Sequence, residues 1–399
     1  MFDANLNERQ HRIDRLQLFG LIGLMLLGGA FVFSATRDNE TPLIYNQIWF
    51  RQIVWYVLGL AAAIVLCLVD YHTLARWSFV IYWAMIFLLI AVLIPGIGSK
   101  RSGAYRWFDL HVFMLQPSEF AKLAFILAQA NFLSRPIEEL KQPPVFWKAI
   151  GLMMLPFLLI MKEPDLGSAL VLLPVGLAMM FIAGTPGKYL LRLVGCVGIL
   201  GALFLADVLF APGKWQIKLE DYQRQRLLVY FGRDFAAKDA TPAQREEARR
   251  LQLEKSYQSR QALISVGSGG PLGQGFLKGK QTALKFMPAG AAHNDFIFSV
   301  IAEEEGFVGS LVVLTLYSVV LFTGIRTAGQ ARDRLGKLMA VGVVTLLFSH
   351  VFINIGMNIR IVPVTGIPLP LLSYGGSSVL VSLIAMGLLQ NVHIYRKGY

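Results

Sequence analysis

Apolar residues in this chain gather into long runs separated by short polar segments. Several runs reach ~18–20 residues, enough to cross ~30 Å of hydrocarbon. Unpaired backbone groups are too costly in lipid, so such runs must be helices. The pattern predicts an all-α, multi-pass integral membrane protein with about ten transmembrane helices. They are expected near 16–35, 53–69, 77–95, 119–134, 145–161, 166–184, 193–211, 296–323, 338–357 and 376–393. The first run lacks a small-x-small cleavage site and reads as a retained span.

One connection breaks the alternation. Residues 212–295 form a long polar stretch between spans 7 and 8, with 14 Lys/Arg against 8 Asp/Glu. The chain therefore divides into 1–211 with spans 1–7, the loop 212–295, and 296–399 with spans 8–10. A loop of this length is often functional. Thr241-Pro242-Ala243-Gln244 reads as an N-cap, a first-turn proline and a capping-box partner, predicting a surface helix through Lys255. Gly267 to Gly279 is glycine-rich and reads as irregular.

Short loops set the orientation. One alternate set carries Arg9, Arg12, Arg15, Arg76, Arg135, Lys141, Lys148, Lys188, Arg192, Arg326, Arg332, Arg334, Lys337, Arg396 and Lys397. The opposite set carries fewer: Arg37, Arg51, Lys100, Arg101, Arg106, Lys162 and Arg360. The richer set is expected in the cytoplasm, with both termini, which places the long loop outside. Composition agrees: 55% of residues are hydrophobic, 16% are charged and mean hydropathy is +0.55. A net charge of +12 would suggest nucleic acid in a soluble chain. Here basic cytoplasmic loops explain it, and no nucleic-acid motif occurs. Cys67 and Cys196 lie inside apolar runs and imply no disulfide. The histidines lack metal-ligand spacing to one another. Neither a phosphate-binding GxxxxGK[ST] loop nor a dinucleotide fingerprint is present.

Candidate chemistry therefore falls on the outer loops and helix ends. Glu119 and Lys122 share one helix face at the start of span 4, as an ion pair or a functional pair. In the short turn 162–168, Glu163 or Asp165 could cap span 6 or touch a ligand. Asp295 in His293-Asn294-Asp295 stands where the long loop returns to the membrane, as a base or a cap for span 8. Internal helix pairing would explain part of Glu303-Glu304-Glu305. The Pro/Gly-rich stretch 354–378 is tolerated at membrane depth only if buried in protein or lining a wet cavity. Together these clusters suggest a cavity open to the outer leaflet. Two readings survive: a transporter, or an enzyme acting on a lipid-linked substrate. Midplane transporters often show inverted repeats, and none stands out here. The basic outer loop favours an anionic, membrane-held ligand.

The strings QPSEFAKL (116–123), EPDLGSAL (163–170), SVGSGGPLGQGFLKGKQT (265–282), HNDFIFSVIAEEEGFVG (293–309) and NIGMNIRIVPVTGIPLPLLSYGGSS (354–378) closely resemble the SEDS family of RodA, FtsW and SpoVE. The resemblance runs over nearly the whole chain, and PVTGIPLP (363–370) is most like the elongation member, RodA. It implies a GT-C-like peptidoglycan glycosyltransferase of the bacterial cytoplasmic (inner) membrane, active on the outer side. Such enzymes polymerise lipid II and release undecaprenyl pyrophosphate. The implied partners are a class B penicillin-binding protein and elongation-complex proteins. By the same resemblance Asp295 matches the essential loop Asp, Glu119 and Lys122 the cavity acid and lysine, and Asp165 the EPDxG Asp. Asp295 is then the expected general base. Lys122, with Arg224, Arg226 or Arg260, could neutralise pyrophosphate, as could a divalent cation such as Mg or Mn. His293 and Ser377 complete the candidate substrate contacts. The alternatives are a lipid II flippase, a division-type FtsW paralogue, or a scaffold recruiting a penicillin-binding protein. Three features depart from the family pattern: Pro288 to Ala292 lacks an acid before His293-Asn294-Asp295, Arg360 stands where Gly is favoured, and 233–256 is a charged insertion.

Overall fold

The computed structural model describes residues 13–37, 44–101, 104–110, 113–210, 221–233, 235, 241–284, 286 and 289–396. Arg9, Arg12 and Lys397, used above for orientation, lie outside these residues, as do Pro288 and parts of the 212–240 stretch.

The first half runs α1 (Arg15–Thr36), α2 (Ile48–Leu68), α3 (Tyr71–Val92), β1 (Ser99–Arg101), β2 (Ala104–Asp109), β3 (Met114–Leu115), α4 (Pro117–Leu133), α5 (Ile137–Leu140), α6 (Pro143–Lys162), α7 (Leu166–Ile182) and α8 (Gly187–Phe210). The second runs α9 (Asp221–Tyr230), α10 (Pro242–Ser268), α11 (Lys280–Ala283), α12 (Ala289–Ala292), α13 (Ile297–Gln330), α14 (Arg334–Asn358) and α15 (Gly376–Ile394). Each of the ten expected apolar segments forms a helix. Among the described residues, eight helices are long and apolar enough to cross a membrane. The other two, α4 and α7, have 17 residues each, about 25 Å at 1.5 Å per residue.

The helices distribute their apolar side chains as lipid demands. The central α14 and α15 are mostly enclosed by neighbours, whereas α8 leaves Leu191, Ile199, Leu200 and Leu203 exposed at the periphery. In water such a face would be unstable, and in hydrocarbon it is matched. Contacts run between α2 and α15, α3 and α4, α13 and α14, α1 and α13, and α7 and α14.

Three features differ from expectation. The strands β1, β2 and β3 form a small three-stranded antiparallel sheet in the order β1-β2-β3, so the fold is helical but not purely so. Alternation at Tyr105, Trp107 and Asp109 is too short to register beside 20-residue apolar runs. The surface helix α10 continues past Lys255 to Ser268, and α9, α11 and α12 give the long loop further helical structure. Span 8 continues to Gln330 and is broken at Gly306, where φ is 65° and ψ is −155°. That backbone suits glycine alone. Gly306 also sits against the backbone of Gly273, where a Cβ would approach the Gly273 nitrogen to 2.3 Å.

The break is filled by the glycine-rich loop. The amides of Phe307 and Val308 donate to the carbonyls of Gly270 and Pro271 at 2.8 and 3.1 Å. In return Gln274 and Gly275 donate to the carbonyls of Glu303 and Glu304 at 3.0 and 2.8 Å. The acid run does not pair within its helix, contrary to expectation. Glu303 accepts from the Gln281 amide at 2.6 Å and the Thr282 hydroxyl at 3.2 Å. Glu304 accepts from the Leu277 amide at 3.2 Å and the Ser34 hydroxyl. Both carboxylates are buried, and they answer loop amides that would otherwise be orphaned.

The helices present two polar ends. At the end bearing both described termini, Arg326 pairs with Asp14, and Arg334 donates to the carbonyls of Arg135 and Ala183. There His72 bridges Asp70 and Asp333 at 2.8 and 2.6 Å. The other end carries the sheet, the long loop and residues 360–375.

Candidate active site

Asp295 lies between α12 and α13, and its main chain is held on every side. The carbonyl of His293 accepts from the Tyr374 amide at 2.8 Å, and that of Asn294 from the Ser373 hydroxyl at 2.5 Å. The Asp295 carbonyl accepts from Asn354 and Asn358 at 2.9 and 3.3 Å. These asparagines stand four apart on α14, so they meet on one face. Asn354 also donates to the carbonyl of Ile367 at 2.8 Å. The 293–295 turn and the 363–370 loop are thereby fixed to the same helix end.

The Asp295 side chain is left available. It does not cap α13: Phe296 is the N-cap and supplies no side-chain bond. Among the described residues no donor bonds the Asp295 carboxyl oxygens. The nearest backbone is Gly366, with φ at 80°, where a Cβ would lie 3.5 Å from the carboxyl. Any larger residue would strain that turn and crowd the acid. Burial pushes the Asp295 carboxyl up to about 6; Arg226 opposes the rise and Asp165 adds to it. An acid ionised at neutral pH, fixed in place and free of donors is suited to take a proton.

Asp165 does cap span 6: its Oδ1 accepts from the Ser168 amide at 3.1 Å at the start of α7. Its Oδ2 accepts from the Gln116 side chain at 3.1 Å, which joins α7 to the start of α4. Glu163 is not the cap. It is fully buried, and with Asp165 nearby its carboxyl is pushed up to about 9, mainly by burial and against Arg106. It is therefore a neutral acid at pH 7. Arg106, on β2, donates to the carbonyls of Glu163 and Pro164 and clamps the turn in which Pro164 has φ at 28°.

Arg226, on α9, donates to the Thr365 carbonyl at 3.2 Å. It lines a cavity of about 820 Å³ between α9, α10, the end of α14 and residues 360–364. The cavity wall is mixed, with Tyr230, Tyr257, Glu254 and Arg360 beside Val229, Met357 and Pro363. That size and character match ligand sites of about 300–1,000 Å³.

The remaining candidates are placed elsewhere. Arg224, two residues from Arg226 on α9, faces a separate space of about 280 Å³ with Glu247 and Phe235. Residues two apart on a helix point to different sides, so the two arginines do not converge. Arg260 is exposed on α10 and does not line the large cavity. His293 is buried, with its ring edge-on to Tyr374 at 5.7 Å. Ser377 accepts from the Gln116 amide at 3.0 Å and donates to the Met114 carbonyl at 3.1 Å, tying α15 to the sheet and α4. Glu119 and Lys122 are paired at 2.7 Å and enclosed, and Lys122 has no exposed surface. A third group, His350 on α14, lies 3.0 Å from the Lys122 ammonium. In this conformation the pair joins α4 to α14 and does not open to the cavity. Among the described residues, no three His, Cys, Asp or Glu side chains converge as metal ligands. The donor set does not by itself fit a resident metal.

Several of these residues escape a sequence reading. Arg106 is a lone arginine in a loop, and His350 a lone histidine in an apolar run. Only the Asn354/Asn358 spacing inside a span carries a legible signal.

Comparison with known proteins places the chain among close matches. A profile of the cell cycle protein family that groups FtsW, RodA and SpoVE matches residues 12–398. The peptidoglycan glycosyltransferase MrdB of Escherichia coli K12 is 34% identical over 387 residues, covering 96% of this chain and 94% of that protein. The stage V sporulation protein E of Bacillus subtilis is 36% identical, covering 96% and 98%. The crystal structure of Thermus thermophilus RodA superimposes with a TM-score of 0.66 at 28% identity, covering 97% of this chain and 98% of that one. A chain solved in a study of polymerization and crosslinking by a peptidoglycan synthase complex gives 0.74 at 28%, covering 96% and 98%.

Proposed function

Since the chain belongs to the FtsW, RodA and SpoVE family, we propose that it is a peptidoglycan glycosyltransferase that polymerises lipid II with Asp295 as general base. The observation that carries the mechanism is the Asp295 carboxyl. Its main chain is locked by bonds to three consecutive carbonyls, while its oxygens are free of donors and its pKa lies near 6.

In the reaction, a sugar hydroxyl of the acceptor attacks the anomeric carbon of the donor. The new C–O bond forms as the bond from that carbon to the pyrophosphate oxygen breaks. Asp295 takes the hydroxyl proton, and undecaprenyl pyrophosphate leaves with the electron pair. A single displacement inverts the centre and needs one base, unlike hydrolysis with two carboxylates. Pyrophosphate leaves readily if its charge is met. Arg226 is the cation best placed for this, because it borders both Asp295 and the cavity. Asp165 sharpens the site indirectly by holding Gln116 and the start of α7 and by raising the Asp295 pKa. Glu119, Lys122 and His350 position α4 against α14 beneath it.

The site end is assigned to the outer face and both termini to the cytoplasm, because the terminal end collects the basic short loops. The match to a peptidoglycan synthase complex supports a class B penicillin-binding protein as partner. PVTGIPLP and the MrdB relative support the elongation role.

The test is polymerisation of labelled lipid II by the purified protein with its penicillin-binding partner, beside Asp295→Ala. Glycan chains from the wild type alone support the enzyme and its base. Lipid II crossing liposome membranes with no chains under any partner condition would favour the flippase.

A further inference from the structure

The end of α14 closes in a hydrogen-bonded stop. The Ile361 amide donates to the Gly356 carbonyl at 2.7 Å, and the Arg360 amide to the Met357 carbonyl at 3.3 Å. This pair of bonds defines a Schellman motif with Arg360 at its left-handed position. Its φ of 59° is a conformation that glycine adopts freely and a side chain resists. An arginine here is thus a poor choice for the turn alone.

Its side chain is also unspent. Among the described residues no acceptor bonds the Arg360 guanidinium and no carboxylate pairs with it, in contrast to Arg326 with Asp14. The residue lines the 820 Å³ cavity together with Arg226. The same wall offers Gln225, Gln258 and Ser259 as hydrogen-bonding groups, and Tyr230 and Tyr257 as ring faces. Two guanidiniums, amides and aromatic rings around one cavity make a surface for a sugar phosphate. Arginine's planar fork matches phosphate oxygens in pairs.

We propose that Arg360 is a substrate-binding residue. With Arg226 it holds the phosphate oxygens of a polyprenyl pyrophosphate-linked sugar in the cavity between α9, α10 and the end of α14. This deepens the glycosyltransferase reading and rests on it for the identity of the ligand. Arg226 lies nearer the reacting centre, through its coupling to Asp295. Arg360, at the end of α14, lines the same cavity and acts on affinity more than on the chemical step.

The test uses the full-length protein in discs of zwitterionic lipid and compares wild type, Arg360→Gly and Arg360→Lys. Three quantities are read: binding of undecaprenyl pyrophosphate, and KM and kcat for lipid II polymerisation. Glycine suits the turn, so Arg360→Gly is expected to unfold at the same temperature as wild type or higher. It should weaken binding and raise KM by about tenfold, the effect of one charge-assisted hydrogen bond, with little change in kcat. Arg360→Lys should recover part of the affinity. Equal binding by wild type and Arg360→Gly would overturn the assignment. So would a loss seen only when anionic lipid is added, which would make the site one for membrane headgroups. The binding arm needs no turnover, so it judges Arg360 even if the wild type forms no glycan. That second result would count against the polymerase reading alone.

Discussion

The two polar ends of this bundle use charge in opposite ways. At the terminal end the buried and half-buried acids meet basic partners. Arg326 pairs with Asp14, His72 lies between Asp70 and Asp333, and Asp14 and Asp333 cap α1 and α14. At the other end acids approach one another: Glu163 lies beside Asp165, which in turn raises the pKa of Asp295. Charges that only hold helices together are neutralised locally, as at the first end. Groups that must change protonation are kept short of partners and buried, as at the second. The contrast teaches where chemistry can occur without reference to any relative.

Substitutions should therefore split by end. The largest effect is expected from Asp295→Asn, which keeps shape and removes the base: polymerisation should fall by about 10²–10⁴-fold with the unfolding temperature unchanged. Asp333→Asn should do the reverse, keeping kcat and lowering stability by about 1 kcal/mol through a weakened cap, as read by thermal unfolding in detergent.

Next in size is the latch of the glycine loop. Glu303→Ala strips the Gln281 amide and Thr282 hydroxyl of their acceptor, at a cost of about 1–3 kcal/mol. Hydrogen exchange should rise at 277–282. Unchanged exchange there would show that the carboxylate does not hold the loop.

Smaller shifts test the electrostatics. Asp295 is basic only above its pKa, so kcat/KM should drop as pH falls through about 6. Arg226 lowers that pKa and Asp165 raises it. Arg226→Gln should therefore move the acid limb to higher pH, and Asp165→Asn to lower pH. Movement in the same direction by both variants would contradict the placement of these charges.

The smallest effect concerns Glu163. Its folded pKa of about 9 lies above the ordinary 4.5. Its contribution to stability is complete below pH 4.5 and lost as pH rises through about 9. Glu163→Gln should flatten the decline in unfolding temperature across that window. An unchanged slope would mean that Glu163 ionises normally.

Much of the fold was legible because lipid imposes one rule on every span: a long apolar run must be a helix. Gly306 was not legible as a break, since span 8 read as one continuous helix on either side of it. The reason lies in a loop about 30 residues earlier, whose backbone enters the gap. The same distance hid the role of Glu303 and Glu304, whose partners stand on that loop and on α1. At the site, Asp295 could be singled out where a polar loop returns to a span. Its separation from Arg224 and Arg260 could not, because which face of α9 or α10 meets α14 depends on tertiary packing. Lys122 shows the limit in another form. Its spacing from Glu119 foretold the pair, but not its enclosure by His350 more than 200 residues away.

The most direct measurement is the pH profile of lipid II polymerisation by wild type and Asp295→Asn, each with the penicillin-binding partner and each shown to be folded. A base at Asp295 predicts a wild-type acid limb near pH 6 and, from the variant, polymerisation reduced about 10²–10⁴-fold with that limb lost. Robust polymerisation by Asp295→Asn with the same acid limb would place the base on another residue.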